Sequence, residues 1–292
     1  MDRAAWHRFR MTDPRSQETP VPAEPVRIGL ALGGGAVRGA AHIGVLSVLD
    51  EAGLAPAVIT GTSAGALVGA LYAAGQGPAA ISTLARGLRW PRLIRPAGTR
   101  RALFETSRLA TFLDNVLASR TFDGLALPFA AVACELTTGE AVVLRDGPVA
   151  SAVLASAAIP GVFPPVDRDG RMLVDGGLVE MVPAGLARRL GADIVIGVDV
   201  SGPVPRRPPS TVLHIMVAVS TLQPGGSQRL AEDADLVLTP KVDEYAFWEL
   251  SRMPEFEDAG RVAAEQALPV IRALIAAAAA RRDWEHLAAG DG

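Results

Sequence analysis

The distribution of apolar residues along the chain predicts buried strands separated by helices. Short apolar runs with the length and composition of strands are AVITG, PFAAVAC, RMLVD, ADIVIGVDV and ADLVLTP. The stretches between them are amphipathic or alanine-rich, as is typical of helices. Within the strands apolar and polar residues hardly alternate, which favours a sheet covered by helices on both faces. The pattern therefore predicts a three-layer α/β/α fold around a central, mostly parallel sheet.

One apolar stretch has the length of a membrane span. Residues 52–85 contain no charged side chain. Glycines and prolines interrupt this stretch repeatedly, at Pro56, Gly61, Gly65, Gly69, Gly75, Gly77 and Pro78. It divides into AVITG and TSAGALVGALYAAG, the pattern of a buried strand, a tight turn and a buried helix. We interpret it as packed core.

Length and composition favour one globular domain with flexible ends. A chain of 292 residues with 49% hydrophobic content suits a single large α/β domain. Residues 1–25 carry scattered charges and no apolar core, so we expect a disordered arm and not a signal peptide. The domain is assigned to residues 26–282, and residues 283–292 are expected to form a flexible tail.

Charge and cysteine content exclude some classes of function. The net charge of −3 gives no overall basic surface for nucleic acid, so no nucleic-acid partner is expected. Cys134 is the single cysteine, which excludes an internal disulfide. A cytoplasmic location is the simplest expectation from these features.

The segment LALGGGAVRGAAHIGVL, residues 30–46, places three glycines between a predicted strand and a predicted helix. A dinucleotide fingerprint does not fit, because Arg38 stands where its third glycine is required. A triphosphate-binding loop does not fit either, because Ala40 and Ala41 replace its lysine and hydroxyl residues. The oxyanion of an acyl-transfer intermediate needs only converging N–H donors. This hypothesis remains, and it requires a nucleophile nearby.

A candidate nucleophile is Ser63, in the sequence GTSAG at residues 61–65. The pattern G-x-S-x-G between an apolar strand and a helix is typical of a nucleophile elbow, a strained turn that exposes the serine hydroxyl. The alternative is a helix cap of small residues with no chemistry. The predicted strand, turn and helix agree with the elbow.

None of the four histidines has the setting of a general base for a serine. His7 lies in the predicted arm and His286 near the polar C-terminal end, while His42 and His214 lie in apolar helical runs that favour structural roles. Lys241 is the only lysine, so a serine–lysine pair is nearly excluded. The base is therefore sought among the carboxylates.

Two aspartates follow apolar strands. Asp175, in RMLVDGGLVEMVP, precedes two glycines that allow another group to approach closely. Asp199, in VIGVDVSG, lacks the paired glycines and is ranked second. A turn in which the Asp175 carboxylate only caps backbone N–H groups is an alternative to catalysis.

Four separated motifs in this order resemble the patatin-like phospholipase family: GGGAVRG, GTSAG, ASAAIP at residues 155–160 and DGG at residues 175–177. Four blocks are far more specific than one. The similarity extends from about Val26 to about Ile275, where ADLVLTP and FEDAGRVAAEQAL look like segments of bacterial members. One departure is Glu180, near which many relatives carry asparagine.

The resemblance implies a patatin-like fold, a Ser63–Asp175 dyad without histidine, and lipid or lysophospholipid substrates, with no metal or cofactor. By the same resemblance Gly33, Gly34, Gly35 and Arg38 belong to the oxyanion loop, and the expected N–H donors are those of Gly34 and Gly35. We expect an apolar pocket to raise the pKa of Asp175. An acyltransferase and a non-catalytic lipid-binding module are the alternative functions.

Candidate substrate-binding residues are Ile159, Val162 and Phe163, which follow the third motif, and Trp90. Trp90 lies in an arginine-rich stretch, residues 86–101, for which two interpretations stay open. One is a solvated surface loop. The other is an interfacial lid, with arginines attracting anionic headgroups while Trp90 and Ile94 insert into the membrane boundary.

Overall fold

The computed structural model describes residues 25–98, 100–201, 211, 215–216, 233–242 and 249–290. The strands are β1 (Ile28–Leu32), β2 (Val58–Thr62), β3 (Arg95–Pro96), β4 (Phe104–Glu105), β5 (Phe129–Glu135), β6 (Ala141–Leu144), β7 (Val166–Arg168), β8 (Arg171–Asp175), β9 (Ile194–Val198) and β10 (Leu236–Leu238). The helices are α1 (Ala40–Glu51), α2 (Ala64–Ala73), α3 (Pro78–Gly87), α4 (Trp90–Leu93), α5 (Ser107–Val116), α6 (Val149–Ser156), α7 (Ala184–Arg189) and α8 (Met253–Gly290). The predicted arm, apart from residue 25, lies outside the described residues.

Within the described ranges, eight strands form one mixed sheet in the order β10-β9-β1-β2-β5-β8-β7, with β6 also paired to β5. The strands from β10 to β5 are mutually parallel. The β5–β6, β5–β8 and β7–β8 pairs are antiparallel. The predicted α/β/α class with a mostly parallel sheet is confirmed.

Successive residues of the central strands face two different helical layers. In β1, Leu30 and Leu32 pack in the large core cluster that contains α1, α2 and α6 residues, whereas Ala31 packs in a separate cluster with α7. All three side chains are fully buried. Because both faces are covered, the central strands are mostly apolar on both faces, which explains the weak alternation in the sequence.

The uncharged residues 52–85 fold as β2, α2 and α3, with β2 fully buried and α2 largely so. The interpretation as packed core is confirmed for β2 and α2, whereas most of α3 is exposed or half-buried. Length and composition alone would let one described helical segment, Leu250–Arg282, cross a membrane, but core helices of soluble proteins meet the same criteria. This segment packs closely on α1 through Gly44 and Gly260. It continues as helix to Gly290, past the predicted domain end at residue 282.

The register of two strands on β5 determines where the candidate site forms. β2 runs parallel to β5, and its last residue, Thr62, pairs with Val132. β8 runs antiparallel to β5, and its last residue, Asp175, pairs with Ala133. The carboxyl ends of β2 and β8 therefore meet beside adjacent residues of β5.

Candidate active site

Ser63 occupies the turn between β2 and α2. Its backbone has φ +53° and ψ −116°, a conformation that L-residues rarely adopt and that stores strain. The turn is tight because Gly65 lies against the Leu32 carbonyl of the neighbouring strand, where no side chain fits. Ser63 remains only 8% exposed. The turn has the geometry of a nucleophile elbow at the start of a helix.

The Ser63 hydroxyl contacts the Asp175 carboxylate directly. Ser63 Oγ donates a hydrogen bond of 2.7 Å to Asp175 Oδ2. The second carboxylate oxygen, Oδ1, accepts a 2.7 Å hydrogen bond from the N–H of Gly177. One oxygen is thus held by the backbone while the other faces the serine, which fixes the orientation of the carboxylate.

The environment of Asp175 changes its acidity. The side chain is 3% exposed, and burial raises the pKa of Asp175 to about 6. The hydrogen bonds from Ser63 and Gly177 oppose this effect, because they stabilise the charged form. A carboxylate with a raised pKa is a stronger base towards a serine hydroxyl than an ordinary aspartate. The structure agrees with the expectation that the pKa of Asp175 is raised.

Ser156 supports the elbow from behind. Its Oγ accepts a 2.9 Å hydrogen bond from the N–H of Ser63 and donates a 2.6 Å bond to the carbonyl of Val132. Ser156 is completely buried, so both bonds are shielded from water. Ser156 belongs to the motif ASAAIP, and the sequence predicted no role for it. The available signal was a fully buried polar position at the end of the alanine-rich helix α6.

The glycine loop is fastened on two sides. The N–H of Gly33 donates to the carbonyl of Val198 at 3.0 Å, and the N–H of Gly34 donates to the carbonyl of Met181 at 3.1 Å. The expectation that the N–H of Gly34 is an oxyanion donor was wrong, because this N–H already donates to the Met181 carbonyl. A Cβ at Gly34 would lie 2.9 Å from Met181 Sδ and 3.4 Å from Ser63 Cβ. The absence of a side chain at Gly34 thus brings the loop against the serine.

Two buried side chains, those of His42 and Arg38, form hydrogen bonds in or beside the glycine loop. His42 Nε2 donates a 2.8 Å hydrogen bond to the Gly33 carbonyl, and burial lowers the pKa of His42 to about 4. The imidazole is therefore neutral at pH 7, in the structural role that the sequence predicted. Arg38 is also buried, and its Nη1 donates to the Ser201 carbonyl at 2.7 Å. His7 and His214 lie outside the described residues, as does the side chain of His286.

Asp199, the second-ranked carboxylate, has different partners. Its Oδ1 accepts hydrogen bonds from Ser201 N at 2.9 Å and Ser201 Oγ at 2.6 Å. Asp199 therefore caps the turn after β9, which is a structural role. In the part of the chain that the structure describes, no group of three or more His, Cys, Asp or Glu side chains is placed to hold a metal ion.

A cavity of about 190 Å³ extends from Ser63 between the helices. Its walls are almost entirely apolar and include Leu67, Leu71, Ile81, Phe112, Ile159 and Phe163. Ile159 and Phe163 are candidate substrate-binding residues from the sequence. The third, Val162, is buried in an adjacent cluster with Ala158 and Phe163.

The arginine-rich stretch folds beside this cavity. It contains α4 and β3, and β3 pairs with β4. Ile94, expected to insert into a membrane, instead packs against the buried Ala158–Val162–Phe163 cluster. This contact gives part of the Ile94 side chain a protein environment, and insertion at a membrane boundary stays a prediction. The side chain of Trp90 lies outside the described part of the structure.

The fold and the turn at Ser63 define an α/β protein with a nucleophile-elbow geometry. A sequence profile described as patatin-like phospholipase matches residues 30–188, more than half of the chain. The chain belongs to the patatin-like phospholipase family.

Individual relatives agree with this membership. An uncharacterized NTE family protein of Mycobacterium bovis is 36% identical over 180 residues, which cover 60% of this chain and 49% of that protein. The human patatin-like phospholipase domain-containing protein 6 is 35% identical over 186 residues, covering 59% of this chain and 13% of that protein. The chain thus spans at most about half the length of these relatives.

A solved structure supports the fold. VipD from Legionella pneumophila superposes with a TM-score of 0.60 over 85% of this chain and 67% of its own, at 14% sequence identity. At that identity the likeness concerns the fold alone.

Proposed function

We propose that this protein hydrolyses carboxylic ester bonds of lipids, with Ser63 as nucleophile and Asp175 as its base. The observation that carries the proposal is the 2.7 Å hydrogen bond from Ser63 Oγ to the buried Asp175 carboxylate, at the end of an apolar cavity. Membership of the patatin-like phospholipase family supports lipid acyl hydrolysis as the general class of reaction.

The reaction proceeds in two halves. Ser63 Oγ attacks the ester carbonyl carbon as its proton passes to Asp175, and the tetrahedral intermediate collapses when that proton is transferred to the departing alcohol oxygen. The acyl group is then bound to Ser63 as an ester. Water attacks this ester with Asp175 as base again, which releases the fatty acid and restores the serine.

The negative oxygen of each intermediate requires N–H donors that the protein does not already use. The N–H groups of Gly35 and Ala36 donate no hydrogen bond to any described residue, unlike those of Gly33 and Gly34. Ala36 also lines the cavity that Ser63 faces. We assign the oxyanion donors to Gly35 and Ala36, together with the N–H of Ala64, the residue after the nucleophile.

The cavity supplies the specificity in this proposal. Its aliphatic and aromatic walls favour an acyl chain over a polar substituent, because burying apolar surface is the main source of binding free energy there. Phospholipids and lysophospholipids carry such chains on ester bonds, and they are the proposed substrates.

A fluorophosphonate probe tests the nucleophile directly. The wild-type protein is expected to be labelled at Ser63, located by peptide mass spectrometry, and to release fatty acid from a phospholipid. The Ser63→Ala variant, with the same thermal unfolding midpoint, is expected to do neither. A folded wild-type protein that takes no label and releases no fatty acid contradicts the proposal and favours a lipid-binding module. Transfer of the acyl group to an added alcohol in place of water identifies an acyltransferase.

A further inference from the structure

A second concave site lies outside the catalytic cavity, between α4 and α5. It is a groove of about 580 Å³. The residues that line it include three arginines, Arg89, Arg92 and Arg108, the polar residues Ser107, Thr111 and Asn115, and the apolar residues Leu88, Leu93 and Phe112. No acidic side chain of the described residues lines it. We refer to it as the arginine groove.

Within the described part of the chain, no carboxylate pairs with the three arginines of the groove. Neighbouring arginines do have partners, since Arg86 pairs with Glu257 at 3.0 Å and Arg95 with Glu105 at 3.8 Å. By contrast, Arg89, Arg92 and Arg108 form no ion pair with any described residue. Arg89 and Arg108 instead donate to backbone carbonyls at 2.8 to 3.3 Å.

The surrounding sequence concentrates positive charge further. Residues 86–108 contain seven arginines and one acidic residue, Glu105, in a chain whose net charge is −3. Exposed guanidinium groups that stand close together without carboxylates favour an anionic ligand, and their planar donors match the oxygens of phosphate.

The position of the groove indicates which anion fits. Leu88, Leu93 and Phe112 line both the arginine groove and the apolar cavity, so the two sites share a wall. Ser63 lines the cavity and not the groove. A phosphate in the groove therefore lies beside the apolar cavity.

We propose that the arginine groove binds the phosphate of an anionic phospholipid headgroup and docks this side of the protein on a membrane. The inference rests on the proposed function, in which the adjoining cavity takes acyl chains from the same membrane. Three basic residues at an anionic surface, each contributing about 1 kcal/mol, correspond to on the order of 100-fold stronger partitioning.

Vesicle sedimentation tests this proposal without depending on catalysis. The vesicles consist of ether-linked phosphatidylcholine, alone or mixed with ether-linked phosphatidylglycerol, so that no ester is present to be cleaved. The groove variant is Arg89→Gln/Arg92→Gln/Arg108→Gln. The matched control, Arg145→Gln/Arg272→Gln/Arg281→Gln, removes the same charge from exposed arginines elsewhere. Equal thermal unfolding midpoints establish that both variants fold.

Wild type and control are expected to sediment with the anionic vesicles and to do so far less with phosphatidylcholine alone. The groove variant is expected to partition on the order of 100-fold more weakly into the anionic vesicles. Equal partitioning of groove variant and control overturns the proposal. So does calorimetric binding of glycerol 3-phosphate that depends on the groove arginines without any difference on vesicles, because it assigns the groove to a soluble phosphorylated ligand. A protein that docks as expected but cleaves no ester contradicts the proposed function alone.

Discussion

The ends of β8 and β9 offer a comparison within one sheet. β8 ends with Asp175, and Asp199 directly follows the last residue of β9. Asp175 is 3% exposed and contacts the hydroxyl of Ser63, whereas Asp199 is half-buried and caps the backbone at Ser201. Similar local sequences therefore lead to a candidate base in one place and to a structural turn in the other.

The difference arises from strand pairing. β8 is antiparallel to β5, and this direction carries Asp175 to the end of β2, where Ser63 begins the next helix. β9 is parallel to β1 and β10, and its last residue, Val198, supports the glycine loop through its carbonyl. The chemistry available to a carboxylate at a strand end therefore depends on which strand end lies opposite.

The largest expected effect is a difference in hydrolytic activity between variants of the two aspartates. Asp175→Asn is expected to lower kcat for ester hydrolysis on the order of 10⁴-fold, close to the loss for Ser63→Ala, because the serine loses its base. Asp199→Asn is expected to retain most activity, since Asp199 contacts Ser201 and not the serine. Initial rates on a soluble ester measure both variants. Comparable losses in two folded variants would remove the distinction between the strand ends.

A smaller effect is expected at the glycine loop, which the end of β9 supports. Gly34→Ala places a methyl group 2.9 Å from Met181 Sδ and 3.4 Å from Ser63 Cβ, so either the Met181 side chain or the loop that carries the proposed oxyanion donors must move. The expected loss in kcat is about 10²- to 10³-fold. Gly77→Ala is the matched control, because a Cβ at Gly77 meets open space. Unchanged turnover of a folded Gly34→Ala protein would contradict the role of the loop.

The pH dependence of the free energy of unfolding reports on the burial of Asp175 independently of catalysis. Because the folded-state pKa is raised from 3.8 to about 6, proton binding to Asp175 stabilises the native state fully below about pH 4. That stabilisation is lost as the pH rises to about 6. Asparagine does not titrate, so Asp175→Asn is expected to gain up to about 3 kcal/mol in free energy of unfolding, relative to wild type, between about pH 4 and pH 7.

Urea unfolding at several pH values measures this gain, with Asp199→Asn as the comparison variant. A pH-dependent gain of the same size in Asp199→Asn would indicate that burial at Asp175 is not its cause.

The smallest expected effect is the change of kcat/KM with pH in the wild-type protein. The base acts as a carboxylate, so kcat/KM is expected to be level above about pH 6 and to fall about tenfold per unit below it. Rates on an ester without titratable groups give the apparent pKa. A profile that stays level down to pH 4 would show that the reaction does not use a base with the raised pKa of Asp175.

The sequence predicted the fold class and the buried strands because these depend on short apolar runs. The predicted strands correspond to β2, β5, β8, β9 and β10. It gave no indication of β6, whose residues are mostly exposed or half-buried, or of β7, which has only three residues. Short or exposed strands depend on their pairing partners more than on their own composition.

The candidate site was predictable in its residues and less so in its arrangement. Local motifs identified Ser63 and Asp175, but the antiparallel direction of β8 is a non-local property, so Asp199 remained a rival. The part played by Ser156 depends on its distance to Ser63, which lies 93 residues earlier in the chain. Likewise, the N–H groups of Gly33 and Gly34 are occupied because carbonyls from distant segments, those of Val198 and Met181, accept their hydrogen bonds.

The meeting of β2 and β8 on β5 also has a consequence for the order of assembly. Ser63 and Asp175 are 112 residues apart in sequence, and β8 is the last of the three strands to be synthesised. A nascent chain that has already paired β1, β2 and β5 contains the serine turn but not its carboxylate. Under the proposed function, ester hydrolysis requires both residues, so its recovery during refolding is expected to report on completion of this antiparallel strand pairing.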